Sequence, residues 1–216
     1  MTTKKELYDD IDRFRREHDI TGHDILTHPI CFAQSLGYLV EYSPFRTPGL
    51  RGMAAPLEGW AGAIILNSRR GETENGFVAI HEMTHCIRHI GKHHTALSCY
   101  DDPSQCQNAF YEWEANESAA ELLMPYRIFI PDYVSAFQRC QGCEDLVLHT
   151  LAKRYAATTT QISFRVHSLK FEIAMYCSTG QISSKYLQSR TALQRRGIDM
   201  DRVQMSDLIA LVSTDR

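Results

Sequence analysis

Long apolar runs are missing from this chain of 216 residues, and none approaches the roughly 18 residues needed to span a bilayer. The opening stretch, Met-Thr-Thr-Lys-Lys-Glu-Leu-Tyr-Asp-Asp, lacks the apolar core of a signal peptide. A disulfide framework is missing too. The seven cysteines, at 31, 86, 99, 106, 140, 143 and 177, are odd in number and scattered, as reduced thiols are. These absences give the expectation of a cytoplasmic protein with no membrane partner. Internal repeats, low-complexity segments and a convincing linker are also lacking, so one compact domain over residues 1–216 is expected.

Strong positive charge is absent as well. Apolar content is 44% and charged content 23%, ordinary for a globular protein, and the net charge is −3. The charge is uneven: residues 151–216 carry ten Lys/Arg against five Asp/Glu, or +5, which leaves −8 for residues 1–150. A mildly basic tail hints at an acidic partner. The whole is not the basic body of a dedicated DNA binder.

What is present reads as mixed α and β. Residues 4–17 predict an amphipathic helix with Leu7, Ile11 and Phe14 on one stripe. A short helix over 24–37 has Pro29 near its start and Gly37 as its stop. Extended runs follow at 38–42 and across 50–67, the latter broken by a Gly-containing bend. "GETENG" (71–76) reads as a loop and "FVAIHEMTHCIRHI" (77–90) as a helix stopped by Gly91. A polar connection over 92–106 leads to a helix over 108–124 that Pro125 ends, and further helices fill 130–213.

Residues 81–94 hold five histidines and one glutamate in fourteen positions. Within them lies His81-Glu82-Met83-Thr84-His85, an H-E-x-x-H pattern. Residues four apart share a helix face, so both imidazoles can reach one Zn²⁺ at about 2.0–2.1 Å. Glu82 falls beside such a metal and can take a proton from water whose pKa zinc lowers to about 7. The competing reading is an ordinary helix with surface histidines. Phe77, Val78 and Ile80 run straight into the motif, which argues for a helix that enters a core.

A third ligand further along the same helix fits poorly. The position six residues past His85 is Gly91, and His89 would have to share one metal with two residues of the preceding turns. His89, His93 and His94 are therefore expected to be solvated or to support the ligands. On the 108–124 helix, Glu114, Glu117 and Glu121 share a stripe that reads as a solvated acidic face. Glu112 lies on another stripe with Asn116, Ala119, Ala120 and Leu123, where small residues permit close packing. Glu112 is the expected third ligand, with Asn116 bonding a ligand imidazole.

"FVAIHEMTH", followed 27 residues after His85 by "EWEANESAAELLMP", resembles the ImmA/IrrE family of zinc metallopeptidases over roughly residues 35–170. The resemblance implies a zincin-like α+β domain: a small N-terminal sheet, an active-site helix pair and a helical C-terminal part, with 171–216 as an extension. It also implies zinc held by His81, His85 and Glu112, and Glu82 as catalytic base. The strand "AIILN" corresponds to the family's strand ending in Asn. Two departures, Thr84 for the usual Gly and Asn75-Gly76-Phe77-Val78 for a basic lead-in, bear on substrate preference more than on chemistry. Some members cut a helix-turn-helix repressor, which sets the expected partner.

On this basis the chain is expected to be a narrowly specific zinc endopeptidase. Its substrate would pair as a strand along Ile64, Ile65, Leu66 and Asn67. The alternative is a metal-stabilised regulator that binds a repressor or DNA without cleaving it. Residues 151–170 resemble a helix-turn-helix but are read as a packed helical pair, so direct DNA contact is not expected. Cys140-x-x-Cys143 with Cys99 and Cys106 could bind a second metal, although reduced thiols are the simpler reading. Tyr100, Tyr111, Tyr126, His149 and His167 are unranked candidates for oxyanion support.

Overall fold

The extended runs between 38 and 67 become three strands: β1 (Tyr38–Ser43), β2 (Leu50–Ala55) and β3 (Gly62–Asn67). The computed structural model describes residues 2–20, 24–91, 96–105 and 108–214. His93, His94 and Cys106 lie outside the described residues. A fourth strand, β4 (Leu97–Tyr100), arises where a polar connection is expected. Its alternation of buried Leu97 and Cys99 with half-buried Ser98 and Tyr100 is too short to register as a period in the sequence.

The sheet order is β1-β3-β2-β4, with β1 parallel to β3 and the other pairings antiparallel. This corrects the expected substrate strand. Ile64 pairs with Val40 on one side and Ala54 on the other, so β3 is interior and offers no free main chain. Ile64 and Leu66 are wholly buried, and Ile65 pairs with Glu41 and Met53. Asn67 is committed locally: its Nδ2 donates to the Leu50 carbonyl at 2.8 Å and its Oδ1 accepts from the Arg69 amide at 3.0 Å. Among the described residues, β1 and β4 are the outer strands.

The first helices follow their sequence signals. In α1 (Lys4–Glu17), Thr3 and Glu6 form a capping box, and α2 (Pro29–Ser35) begins on its proline. The helix bearing the histidines, α3 (Glu72–His85), starts earlier than expected. "GETENG" is its first turn and not a loop, because Gly71 caps it and Glu72 and Glu74 complement the helix dipole. Gly76 serves packing: a Cβ there would meet Pro29 Cγ of α2 at 2.7 Å. Gly52 does the same from the sheet, where a Cβ would meet Val78 at 2.5 Å and Glu82 Oε1 at 2.8 Å. The two glycines let α3 lie close against both neighbours.

Past His85 the helix widens into a π-turn, Cys86–Ile90. The remaining helices are α4 (Ala109–Leu123), α5 (Tyr126–Arg139), α6 (Glu144–Tyr155), α7 (Thr159–Ser168), α8 (Lys170–Thr179), α9 (Arg190–Arg195) and α10 (Met205–Thr214). The architecture is thus α+β, a small four-stranded sheet with many helices. None of the described helices is long and apolar enough to cross a membrane.

The chain divides into two compact units: Asp24–Leu123 with Ala156–Thr158, and Met1–His23 with Met124–Tyr155 and Thr159–Arg216. The first, here the sheet unit, holds the four strands and α2–α4. The second, the helical unit, has a core that includes Phe171, Leu193, Ile198, Met200, Leu208 and Val212. In the helical unit α7 spends its inner face on packing: Ile162 and Arg165 are wholly buried. The Arg165 guanidinium donates to the Met124 carbonyl at 3.0 Å and to Tyr8 Oη at 2.6 Å.

Candidate metal centre

Helices α3 and α4 pack within the sheet unit and bring three donors together. His81 and His85, one turn apart, hold their Nε2 atoms 3.0 Å from each other. Glu112 reaches across from the first turn of α4, with Oε2 at 3.3 Å from His81 Nε2 and Oε1 at 3.3 Å from His85 Nε2. Corners of a tetrahedron with arms of about 2.0–2.1 Å lie about 3.3 Å apart, so the spacing suits a zinc-sized ion.

The far nitrogens of both rings fix their tautomers. His81 Nδ1 meets Asn116 Oδ1 at 3.1 Å, and the amide oxygen can only accept, so the proton sits on Nδ1. His85 Nδ1 lies 2.8 Å from His89 Nδ1, and His89 Nε2 lies 3.1 Å from Glu114 Oε2. With Glu114 accepting from His89 Nε2–H, His89 Nδ1 accepts from His85 Nδ1–H. With their protons on Nδ1, both ligand-candidate rings aim Nε2 lone pairs at each other and at the Glu112 carboxylate. Only extra protons or a cation reconcile those three groups.

The electrostatics favour the cation. Burial is the largest influence on His85 and lowers its pKa against the pull of Glu112, which disfavours the extra proton. Burial would raise the Glu112 carboxyl, whereas hydrogen bonds and positive charge from His81 and His85 lower it to about 2 when those rings carry Nε2 protons. A cation between the rings acts on Glu112 with the same sign and keeps it ionised. Glu82 stands apart in chemistry. It is wholly buried, neither carboxylate oxygen has a hydrogen-bond partner among the described residues, and burial plus the Glu112 charge push its pKa well up. A buried, unsatisfied carboxyl beside three converging donors is positioned to trade protons, not to stabilise the fold.

Several expectations need correction. Glu114, Glu117 and Glu121 are not a solvated face, since all three are buried. Glu114 binds His89 and, through Oε1, Arg88 Nη2 at 3.1 Å. For His89 the supporting alternative holds and the solvated one does not: it is buried, stacks on Tyr111 with centroids 4.3 Å apart, and holds the far nitrogen of His85. Its spacing of four from His85 is the signal in the sequence that puts both rings on one face. Of the other oxyanion candidates, Tyr100 lies on β4. Tyr126, His149 and His167 belong to the helical unit, where His149 Nδ1 meets the Asp145 carbonyl and His167 meets Arg190.

Sequence reasoning considers Cys99 for a metal, but with other cysteines as its partners. The Cys99 thiol, on β4, lies with the donor atoms of His81 and Glu112 in a cluster whose members are all within 4.8 Å of one another. Cys140 and Cys143 join no such cluster among the described residues. Cys99 has no motif around it, and only the pairing of β4 with β2 brings it here.

Comparison with known proteins gives the family. The Peptidase_M78 family model, described as the IrrE N-terminal-like domain, matches residues 33–167. The chain belongs to that family, the ImmA/IrrE family of peptidases. Comparison with curated proteins gave no match.

Proposed function

From that membership, we propose that the chain is a zinc-dependent endopeptidase of the zincin type that cleaves a helix-turn-helix repressor. The observation that carries the reading is the forced convergence of two Nε2 lone pairs and the Glu112 carboxylate, with an unsatisfied Glu82 beside them. His81, His85 and Glu112 would hold the ion. When bound, zinc supplies a Lewis acid that polarises the scissile carbonyl and acidifies water. Glu82 takes the proton of the attacking water and hands it to the leaving amine nitrogen. Its raised pKa suits a group that must hold a proton between those two steps.

An extended substrate needs an edge strand beside the donors. β4 is an outer strand among the described residues and carries Cys99, within 4.8 Å of the His81 and Glu112 donors. We assign the substrate main chain to the outer edge of β4. Repressor selectivity rests on docking, for which the basic residues of 151–216 are the proposed surface; Arg195 and Arg196 are both exposed there.

Metal analysis tests the centre: about one zinc per chain is expected, with clear loss in Glu112→Ala. Incubation with a helix-turn-helix repressor encoded beside the protein, and fragment mapping by mass spectrometry, tests the substrate. A stable complex with intact repressor would favour binding without cleavage.

A further inference from the structure

Cys99 belongs to the wall of the site and yet to no step of the chemistry above. Its neighbours define where the thiol points. Cys99 pairs across the sheet with Gly52, so the two residues face the same side, the side on which α3 lies. Gly52 is also where a Cβ would stand 2.8 Å from Glu82 Oε1. The thiol thus faces the unsatisfied catalytic carboxyl as well as two of the three donors. The register of β2 against β4 shifts between Leu50 and Gly52, opposite Tyr100 and Cys99. A bulge of this kind re-aims a side chain and is common beside active sites.

Three protein donors leave a fourth corner, which a catalytic zinc site keeps open and a structural one fills. We propose that Cys99 fills that corner in the resting protein, so that the enzyme is latent until its thiolate is displaced. The proposal rests on the zinc centre of the preceding section. Ligation exchanges one bond for another: the sulfur takes the position water would hold, and the thiol proton passes to solvent. The device has a built-in release. Cys99 lies on the strand assigned to the substrate, so a segment pairing along β4 acts on the strand that holds the thiolate in place. Docking and opening then become one event, which restricts cleavage to chains that bind as strands.

Cobalt substitution tests this without relying on activity. Purified metal-free protein loaded with Co²⁺ alone is expected to show a thiolate-to-metal charge-transfer band in the near ultraviolet. Cys99→Ser and Cys99→Ala should lose that band while retaining the visible bands of a bound, low-coordinate ion. Both variants should also bind zinc at least about 10-fold more weakly, the smallest loss seen for residues that contact a ligand indirectly. A wild-type spectrum with the visible bands but no charge-transfer band overturns the proposal and leaves the three-ligand centre standing. So does a charge-transfer band that survives in Cys99→Ser, since another cysteine would then be its source. Failure of the wild type to bind cobalt at all would remove the centre itself, and the proposal with it.

Discussion

The two units of this protein both bury charge, and they do it to opposite ends. In the helical unit Lys4 is nearly inaccessible, and its Nζ bonds the Ser168 carbonyl at 2.6 Å and Glu172 Oε1 at 2.7 Å. Arg165 is likewise spent on Met124 and Tyr8. Each cation there meets an acceptor, so the charge pins helices together. In the sheet unit the buried groups of the candidate metal centre are all electron-pair donors. Two lone pairs and a carboxylate converge, a thiol lies within 4.8 Å of two of these donors, and Glu82 has no hydrogen-bond partner among the described residues. Matched partners make a burial structural; matched electron pairs pointing at one place make it a site.

Glu82→Gln should separate the two behaviours most widely. Peptidase activity should fall about 10²–10⁴-fold, the usual contribution of general acid–base catalysis, while zinc content stays near wild type. Stability of the metal-free protein should move the other way. Because burial raises the Glu82 pKa in the fold, its contribution is favourable below the unfolded carboxyl value, about 4.3, and is lost as pH rises through the folded value. The glutamine variant escapes that loss. Its melting temperature should exceed wild type at neutral pH by roughly 2–4 °C, the effect of about 1 kcal/mol at this chain length, and the gap should close near pH 4. Destabilisation at neutral pH would show that Glu82 is a structural group after all.

Arg165→Met probes the other side. Losing the hydrogen bonds of a buried charged donor should cost about 2–4 kcal/mol, read from denaturant unfolding. Zinc affinity of the folded fraction should not change. A variant that lost metal affinity without losing stability would erase the distinction between the units.

Smaller effects sharpen the comparison inside the site. Asn116→Ala and His89→Ala each free a ligand imidazole to rotate or change tautomer, and zinc affinity should fall about 10–100-fold. Glu114→Ala should weaken zinc less than His89→Ala does, because it acts through His89. Competition with a chelating dye gives these ratios. The smallest change is expected for Arg195 and Arg196 neutralised together. Cleavage of intact repressor should slow at low salt, whereas cleavage of a short linker peptide should not.

Much of the site was legible beforehand because its code is local. A spacing of four on a helix puts His81 and His85 on one face whatever surrounds them, and the small residues near Glu112 on α4 mark a close-packed stripe. The acidic residues of α4 were misread for the same reason in reverse. Periodicity reports which residues share a face, and a charged face reads as solvated unless its partners are known. Glu114 finds His89 and Arg88 from a segment 25 and 26 residues away, which no local pattern encodes.

By itself the sequence determined most of the helices and the placing of His81 and His85 on one helix face with Glu82 beside them, since these follow from backbone periodicity over a few turns. The tertiary structure alone decided strand order. It put β3 inside the sheet and β4 at its margin, which is why the proposed substrate edge is a four-residue strand with little apolar signal and not "AIILN". It also brought Cys99 beside His81 and Glu112. Strand pairing joins residues distant along the chain through main-chain groups that every residue shares, so side-chain identity carries little record of which strand lies next to which.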